Sequence, residues 1–446
     1  MTDDQLDALF NPQKVAVVGA SATPGKIGYS IMKNMLDAGF KGDIYPVNPK
    51  ASKILGIQTF HKVADLPEKI DLAVITIPRK MVISSLDELG RAGCRASIVI
   101  TAGFKEIGGK GYYLEQEIID VAEKYHMPVL GPNCLGMINT HARVNASFAA
   151  GKPEMGNIAF FSQSGALCVA ILDWALGENI GFSKFVSLGN KAVLDESHMI
   201  AYLGNDKQTD VILGYIENVS HGQKFVQEAR RYSNEKPVII IKSGTTAAGA
   251  KAASSHTGAI AGSDQAYTSA FQKSGIIRAH DVETLFNLAQ AFSTQPLPKG
   301  PSLAIVTNSG GPGIMAADAC EKSSLNMARI SSSTIEKMTS FLPSYASFYN
   351  PVDIIGDAGA ERYIKTMEAI IEDSNVGSLL VLLTPTTSAA QEIEEISRGI
   401  VKISQNSDKP VFACFMGREI ISRGEKILMQ GKVPCYSFPE PAIKCL

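Results

Sequence analysis

The sequence is poor in tryptophan, in aromatic residues generally and in any excess of one charge. A single tryptophan and an aromatic share of 7% accompany 42 basic and 44 acidic side chains, for a formal net charge of -2. Nucleic-acid-binding proteins usually carry a basic excess or stripe, so this balance argues against DNA or RNA as the main partner. No apolar run approaches the roughly 18 residues of a membrane-spanning helix, and the acidic N-terminal segment has no apolar signal core. The sequence therefore predicts neither a nucleic acid partner nor a membrane location.

The cysteines are too scattered along the sequence to predict a disulfide framework or a zinc site. The seven cysteines are odd in number and include no pair in the Cys-x-x-Cys spacing. Zinc sites and disulfide frameworks normally show such pairing, so the sequence predicts neither of them, and we assign no metal site. We expect a reduced, cytoplasmic protein.

Glycine and short apolar segments are abundant, and they indicate an α/β fold. The chain has 446 residues, of which 39 are glycine, and apolar residues make up 45% of the total. Short apolar runs alternate with helical stretches, a pattern typical of parallel strands that helices cover on both faces. At roughly 100–200 residues per domain the length predicts two to four domains. The pattern divides into three, residues 1–145, 150–295 and 300–446, with a proline-rich linker at 295–301.

A glycine-rich loop, residues 19–28, follows the first predicted strand and opens a helix. Glycines at this place let backbone N–H groups approach a phosphate at a helix N-terminus. The spacing matches neither Gly-x-Gly-x-x-Gly nor the Walker A loop, so it predicts a nucleotide-containing ligand of another kind, or a purely structural turn. After the second strand, Asn48 and Lys50 occupy the edge where an acidic residue usually reads a ribose. A lysine there suits a ligand with a ribose phosphate, or it is simply solvated.

Two further turns lie where predicted strands end. Residues 131–136 place Asn133, which offers both a donor and an acceptor, at the carboxyl edge of the first sheet, where ligands bind in such folds. Cys134 has no visible helper, which favours an inert thiol over a nucleophile. In the second block, Ser162 or Ser164 is expected to cap a helix whose free N–H groups favour a phosphate, an ordinary cap being the alternative.

The most informative segment is residues 254–260, which place His256 among Ser, Thr and Gly after a stretch rich in glycine and alanine. The other six histidines sit beside charged or polar residues, as solvated surface groups do. A neutral, accessible imidazole that is oriented through its other nitrogen can act as a nucleophile. Glu217 ends a predicted strand at the same sheet edge as Ser162, and it is a candidate for the orienting carboxylate. The segment predicts catalysis by His256, with its pairing to Glu217 as a further hypothesis.

Together these segments closely resemble the α subunit of ADP-forming acyl-CoA synthetases, which are relatives of the succinyl-CoA synthetase α subunit. The resemblance implies a Rossmann-like CoA-binding domain followed by two flavodoxin-like domains with doubly wound parallel sheets. It also implies the reversible reaction acyl-CoA + ADP + phosphate ⇌ carboxylic acid + CoA + ATP. The matching pieces, in the order of the family, are residues 17–21, 131–136, 161–166, 215–217, 255–260 and 308–313.

The resemblance further implies roles for particular residues. Phosphate would attack the thioester, and His256 would take the phosphoryl group from the resulting acyl phosphate and pass it to ADP. Glu217 would hydrogen-bond His256 and set its tautomer, while Ser162, Ser164 and Gly165 would hold the phosphate at a helix terminus. The residues implied in CoA binding are Gly19, Ser21, Lys26, Gly28, Asn48, Lys50, Ile77, Pro78 and Asn133.

The sequence shows no ATP-binding motif, and the resemblance implies that an ATP-grasp module supplies one. This module would be a β subunit in an α2β2 heterotetramer or a C-terminal fusion, and it would bind most of the ATP or ADP with Mg2+. The other substrate would be a small carboxylic acid or its acyl-CoA. Two alternative functions are compatible with parts of the sequence: a CoA-binding regulatory or scaffold protein without ligase activity, and a nicotinamide dehydrogenase. His256 together with Glu217 disfavours the first, and the glycine spacing with Lys50 disfavours the second.

Overall fold

The computed structural model of the protein describes residues 3–67, 69–178, 180–251 and 263–446. Its contacts divide the chain into two compact units, Met1–Leu285 and Phe286–Leu446. The predicted segment 254–260, with His256, lies outside the described residues. In the part of the chain that is described, no helix is long and apolar enough to cross a membrane.

The first sheet of the first unit is parallel, with the spatial order β2-β1-β5-β6-β7. The chain runs from β1 to β2 on one side and returns to β5 on the other, so a crevice opens at the carboxyl ends of β1 and β5. The strands are β1 (Lys14–Val18), β2 (Asp43–Val47), β3 (Lys53–Ile54), β4 (Ile57–Gln58), β5 (Leu72–Ile75), β6 (Ala96–Val99) and β7 (Val129–Leu130), of which β3 and β4 form a separate hairpin. The helices are α1 (Asp3–Phe10), α2 (Ile27–Asp37), α3 (Val82–Arg91) and α4 (Lys110–Tyr125).

The second sheet, also in the first unit, has the order β14-β13-β12-β10-β11-β8-β9 among the described residues. Its strands are β8 (Gly136–Asn139), β9 (Val144–Ser147), β10 (Met155–Ser162), β11 (Phe182–Ser187), β12 (Val211–Ile216), β13 (Val238–Lys242) and β14 (Ile277–Ala279). The helices described with it are α5 (Gly165–Gly177), α6 (Glu196–Asn205), α7 (Gly222–Tyr232), α8 (Asp264–Ser274) and α9 (Val282–Thr294). Strands β10 to β14 follow the flavodoxin-like order 2-1-3-4-5, whereas β8 and β9 add an antiparallel edge.

The third sheet, in the second unit, repeats this order as β16-β15-β18-β19-β20, with β17 paired to β15. Its strands are β15 (Ser302–Thr307), β16 (Asn326–Met327), β17 (Val352–Asp353), β18 (Ser378–Leu383), β19 (Val411–Phe415) and β20 (Cys435–Tyr436). The helices that follow are α10 (Gly310–Glu321), α11 (Ser332–Thr339), α12 (Ala360–Ile371), α13 (Thr387–Gln391), α14 (Ile393–Gln405), α15 (Ser422–Gln430) and α16 (Pro439–Cys445).

Apolar periodicity explains why these segments form these elements. Every residue of β5 and of β18 is buried, as expected for parallel strands with helices on both faces. In α14 the residues Ile393, Ile396, Ile400 and Ile403 recur at helical spacing, and all four are buried against the third sheet. The predicted α/β fold with flavodoxin-like parallel sheets is therefore confirmed.

The chain enters the second sheet earlier than its strand pattern suggests. The strand pattern predicts that the first block ends near residue 145. In the structure, both β8 and β9 already pair within the second sheet. These strands were missed because buried polar side chains interrupt their apolar pattern. Asn139, for example, is fully buried and donates to the Phe10 carbonyl oxygen at 3.0 Å. The three predicted domain ranges stay a prediction.

The predicted linker at 295–301 is anchored at its first residue. The Gln295 side chain accepts a hydrogen bond from Val411 N–H at 2.9 Å and donates to the Lys432 carbonyl oxygen at 2.8 Å. The preceding helix also packs on the third sheet, since Ala291 shares a buried cluster with Leu303. The division between the two compact units accordingly falls within α9.

Candidate active site

A cavity of about 750 Å³ lies in the first unit, between the carboxyl edge of the first sheet and the start of α5. The loops that follow β5, β6 and β7 form one wall, and the first turns of α5 form the other. None of its described lining residues is charged. They are Ile27, Thr76, Ile77, Pro78, Ile100, Thr101, Ala102, Asn133, Cys134, Leu135, Phe148, Gln163, Ser164, Gly165, Ala166 and Val169.

The glycine loop at 19–28 brings the N-terminus of α2 to this cavity. Gly19 adopts φ +95°, and a Cβ on Gly28 would lie only 2.1 Å from the Gly19 carbonyl oxygen, so the helix start packs directly on the loop. Lys26, at the N-cap, makes no side-chain capping bond, and Ile27, the first helical residue, lines the cavity. Because no side chain caps this turn, its N–H groups and the helix dipole suit an anion such as a pyrophosphate.

The polar residues predicted to bind CoA at the carboxyl edge of the first sheet make different contacts in the structure. Asn48 uses its amide locally, donating to the Ala20 carbonyl oxygen at 2.8 Å and accepting from Lys50 N–H at 2.8 Å. This contact joins the loop after β1 to the loop after β2. The Ser21 hydroxyl accepts from Thr23 N–H at 3.1 Å, while Lys26 and Lys50 are both exposed.

Ile77, Pro78 and Asn133 line the cavity directly. The Asn133 side chain donates to Asn190 Oδ1 at 3.3 Å, and the Asn190 amide in turn donates to Glu115 Oε2 at 2.8 Å. Burial raises the pKa of the Glu115 carboxyl group. We did not predict this chain of contacts, which holds Asn133 from the loop after β11.

Cys134 also borders the cavity, but its thiol is poorly suited to act as a nucleophile. The side chain is 4% exposed, and its Sγ lies 3.4 Å from the Val99 carbonyl oxygen. Burial raises the pKa of the Cys134 thiol to about 12, which removes the reactive thiolate at neutral pH.

The predicted phosphate-binding residues separate into two groups at the start of α5. Ser164 is the N-cap, accepting from Leu167 N–H at 3.3 Å, and both Ser164 and Gly165 line the cavity. Ser162 is fully buried instead, where its hydroxyl accepts from Ser164 N–H and donates to the Ser164 carbonyl oxygen, both at 3.0 Å. Ser162 therefore shapes the turn, while Ser164 and Gly165 face the cavity.

Glu217 follows β12 at the carboxyl edge of the second sheet, where α5 also starts, and it is 7% exposed. Its backbone N–H donates to Gln163 Oε1 at 2.8 Å, so the structure brings the Glu217 loop against the turn that starts α5. His256 lies outside the described residues, and its predicted pairing with Glu217 stays a prediction.

Three residues of this region were missed by the sequence analysis: Gln163, Lys191 and Glu196. Gln163 lies between the two serines of a motif already recognised, so its position was the available signal. Lys191 and Glu196 follow β11 at the carboxyl edge of the second sheet. Polar residues at this edge are candidate site residues after any strand, so their position was the available signal. Gln163 and Glu196 are buried, and the Lys191 side chain is 6% exposed. Each of the three makes hydrogen bonds with the loop after β12.

The fold has three mainly parallel sheets, and a cavity joins the carboxyl edge of the first sheet to the helix that starts from the second. Comparison with family models assigns this arrangement to a class of CoA-dependent ligases. The model "CoA binding domain" matches residues 13–140, and "Succinyl-CoA ligase like flavodoxin domain" matches 155–292. "Ligase-CoA domain" matches residues 303–443.

Individual relatives narrow this class. Acetate–CoA ligase [ADP-forming] I of Archaeoglobus fulgidus is 46% identical over 99% of this chain, which spans 63% of that relative. Subunit alpha of acetate–CoA ligase [ADP-forming] II of Pyrococcus furiosus is 40% identical over 98% of this chain and 95% of its own length. The solved dinucleotide forming acetyl-coenzyme A synthetase 1 of Ca. Korarchaeum cryptofilum, in complex with phosphate and ADP, superposes with a TM-score of 0.94 at 40% identity, covering 100% of this chain and 96% of that one. The chain belongs to the family of ADP-forming acetate–CoA ligases.

Proposed function

We propose that this chain, with an ATP-grasp partner, catalyses acyl-CoA + ADP + phosphate ⇌ carboxylate + CoA + ATP for a small carboxylic acid. The observation that carries the proposal is the cavity that joins the carboxyl edge of the first sheet to the N-terminus of α5. A thioester bound along the first sheet would meet, in one cavity, a phosphate bound at that helix N-terminus. The phosphate oxygen then attacks the thioester carbonyl carbon, the carbon–sulfur bond breaks, and CoA leaves as the thiol.

For CoA, we assign the pyrophosphate to the loop at 19–28, with Gly19, Ser21, Lys26 and Gly28. The uncapped start of α2 and the close packing of Gly28 on Gly19 fit such a ligand. Asn48 and Lys50 border the adenosine end, where the exposed Lys50 supplies positive charge for a ribose phosphate. Ile77, Pro78 and Asn133 line the path to the thiol end in the cavity.

For the phosphoryl steps, we assign the phosphate to Ser164 and Gly165, with Ser162 holding their turn. His256 attacks the phosphorus of the acyl phosphate, the bond from phosphorus to the acyl oxygen breaks, and the carboxylate leaves. An oxygen of the ADP β-phosphate then takes the phosphoryl group from His256. Glu217 accepts a hydrogen bond from the N–H of the other ring nitrogen, which fixes the tautomer and raises the basicity of the reacting nitrogen.

The nucleotide and Mg2+ are assigned mainly to the ATP-grasp partner. Among the relatives, the Pyrococcus protein is named a subunit alpha, whereas this chain spans only 63% of the longer Archaeoglobus protein. We propose that the partner is a separate β subunit in an α2β2 heterotetramer, or a fused domain. A cytoplasmic location stays a prediction from the sequence.

The decisive experiment incubates the purified chain, together with its ATP-grasp partner, with acetyl-CoA and [32P]phosphate. We expect a label on this chain that is labile in acid and stable in base, that is absent from His256→Ala, and that moves to ADP when ADP and Mg2+ are added. No label on the unsubstituted chain, or a label that survives His256→Ala, would contradict the mechanism. Binding of CoA without any label would instead favour a regulatory or scaffold protein.

A further inference from the structure

A buried amide side chain from the α5 turn makes hydrogen bonds to the loop after β12, residues 217–220. Gln163 is 8% exposed, and its Oε1 accepts from the N–H groups of Glu217 at 2.8 Å and Asn218 at 3.2 Å. Its Nε2 donates to the Asn218 carbonyl oxygen at 2.7 Å. The backbone of Glu217 is therefore fixed relative to the turn at Ser162–Ser164 from which α5 starts.

A buried ion pair extends this contact. Lys191 Nζ lies 3.0 Å from Glu196 Oε2 and 2.9 Å from both the carbonyl oxygen and the Oδ1 of Asn218, so its three protons all have acceptors. The Glu196 side chain is fully buried, and the exposed fraction of Lys191 is 6%. Glu196 also accepts from Ser220 N–H and from Gln163 Nε2, each at 3.3 Å. Lys191 and Glu196 thus hold the loop from the side of β11.

The turn after β15 in the third sheet is equivalent to the turn that holds Gln163. It shows which of these contacts also occur elsewhere in a flavodoxin-like sheet. There Asn308 takes the place of Gln163: its Oδ1 accepts from Thr384 N–H and its Nδ2 donates to the Thr384 carbonyl oxygen, both at 2.9 Å. Its remaining bond in the described structure goes to the Thr386 hydroxyl, and no charged side chain takes part. The amide contact is therefore a feature of both flavodoxin-like sheets, whereas among the described contacts of these two turns the ion pair occurs at the loop that carries Glu217.

Stability alone is a weak reason for this ion pair. Burying two charges costs desolvation energy that their attraction often does no more than offset, and apolar side chains of similar size are frequently as stable. What a fully hydrogen-bonded pair supplies is one defined geometry for the groups around it. Here those groups are the backbone of residues 217–220 and the turn that begins α5.

We infer that Lys191 and Glu196, through Gln163 and Asn218, are positioning residues for phosphoryl transfer: they hold Glu217 in register with the start of α5. This assignment rests on the proposed function, in which Glu217 orients His256 beside a phosphate at that helix. A displacement of a positioning group by about 1 Å can reduce a reaction rate by about 100-fold. Loss of the Lys191–Glu196 pair should therefore slow phosphorylation by more than the accompanying loss of folding stability explains.

The test compares Lys191→Met with Lys184→Met in the full chain. Lys184 forms a similar pair with Asp206, at 2.6 Å and with side chains 1% and 13% exposed, but Asp206 follows α6 at the opposite, amino edge of the sheet. With acetyl-CoA and [32P]phosphate, we expect Lys191→Met to slow labelling by 10- to 100-fold and Lys184→Met to leave the rate within twofold, at similar losses of melting temperature. Glu196→Gln keeps the volume of the side chain and should also slow labelling, which covers the case in which Lys191→Met fails to fold.

The pH profile distinguishes positioning from general damage. A nearby carboxylate favours the protonated form of an imidazole, and in the proposed function Glu217 is the carboxylate beside the reacting histidine. The acid limb of the labelling rate should move to lower pH in Lys191→Met, as in Glu217→Gln, and stay in place in Lys184→Met. The double variant Lys191→Met/Glu196→Met should regain melting temperature over Lys191→Met without regaining rate.

The outcomes separate the two hypotheses. No label on the unsubstituted chain would refute the proposed function and this assignment with it. A labelled unsubstituted chain whose Lys191→Met and Glu196→Gln forms keep its rate and pH profile would overturn the assignment alone. Full recovery of rate in the double Met variant would also overturn it, because the pair would then contribute only to stability.

Discussion

Replacing Gly28 with alanine should separate α2 from the glycine loop on which it packs. An ideal Cβ at residue 28 would lie 2.1 Å from the Gly19 carbonyl oxygen, whereas real Cβ atoms stay at least 3.0 Å from their neighbours. The obstacle is backbone, which no rotamer change can move, so the helix start and the loop must part by about 1 Å. Overpacking of this kind typically costs about 1–3 kcal/mol.

That cost should appear as lower stability or as weaker CoA binding. Each kcal/mol lowers the melting temperature of a domain of 150–250 residues by about 2–4 °C. If the loop relaxes in the free chain and CoA must restore it, each 1.4 kcal/mol raises the dissociation constant about tenfold. Thermal unfolding followed by circular dichroism and titration calorimetry with CoA measure the two effects.

Gly222→Ala is the matched control. Gly222 is the first residue of α7, so it too lies in the first turn of a helix, but a Cβ there would meet nothing within 4 Å. This variant should be neutral in both measurements. Equal melting temperatures and equal CoA affinities for Gly28→Ala and Gly222→Ala would refute the close-approach reasoning.

Three other residues give independent expectations. Ser162→Ala removes both bonds that close the Ser164 turn, so it should lower the free energy of unfolding by about 1–3 kcal/mol in urea titrations; an unchanged value would mean that the turn closes without the hydroxyl. Cys134 should resist iodoacetamide at pH 8 in the native chain and react after unfolding, because burial raises its pKa to about 12; native alkylation detected by mass spectrometry would contradict this. Burial opposes ionisation of Asp195, but hydrogen bonds from His198 outweigh it and lower the pKa of Asp195. The stability this supplies is present above the unfolded pKa of about 3.9 and is lost as the pH falls through the lower folded value, so the stability difference between the unsubstituted chain and Asp195→Asn should be full at pH 7 and shrink below about pH 4. A difference that stays constant with pH would contradict that assignment.

The order of strands and helices was readable from the sequence because it depends on local patterns. Runs such as Val211–Ile216 and Ser378–Leu383 coincide with observed strands, since an apolar run of that length between helical segments is typical of a buried parallel strand. The edge strands were less readable. Gly136–Asn139 and Val144–Ser147 carry buried polar residues, and one of these, Asn139, bonds to Phe10 across 129 residues.

At the candidate site, the sequence by itself determined the kinds of residue and the loops that carry them: glycines before α2, serines before α5, and an acid after β12. Only the tertiary structure decided which of them meet. It buries Ser162 under the turn while Ser164 and Gly165 line the cavity, and it sets Gln163, Lys191 and Glu196 around the Glu217 loop. The physical reason is that parallel strands bring loops far apart in the chain to one sheet edge, so hydrogen bonds such as that from Gln163 to Asn218 join residues 55 positions apart. Residue propensity and motif spacing predict each loop separately. Burial and hydrogen-bond partners depend on how the loops pack together at the sheet edge.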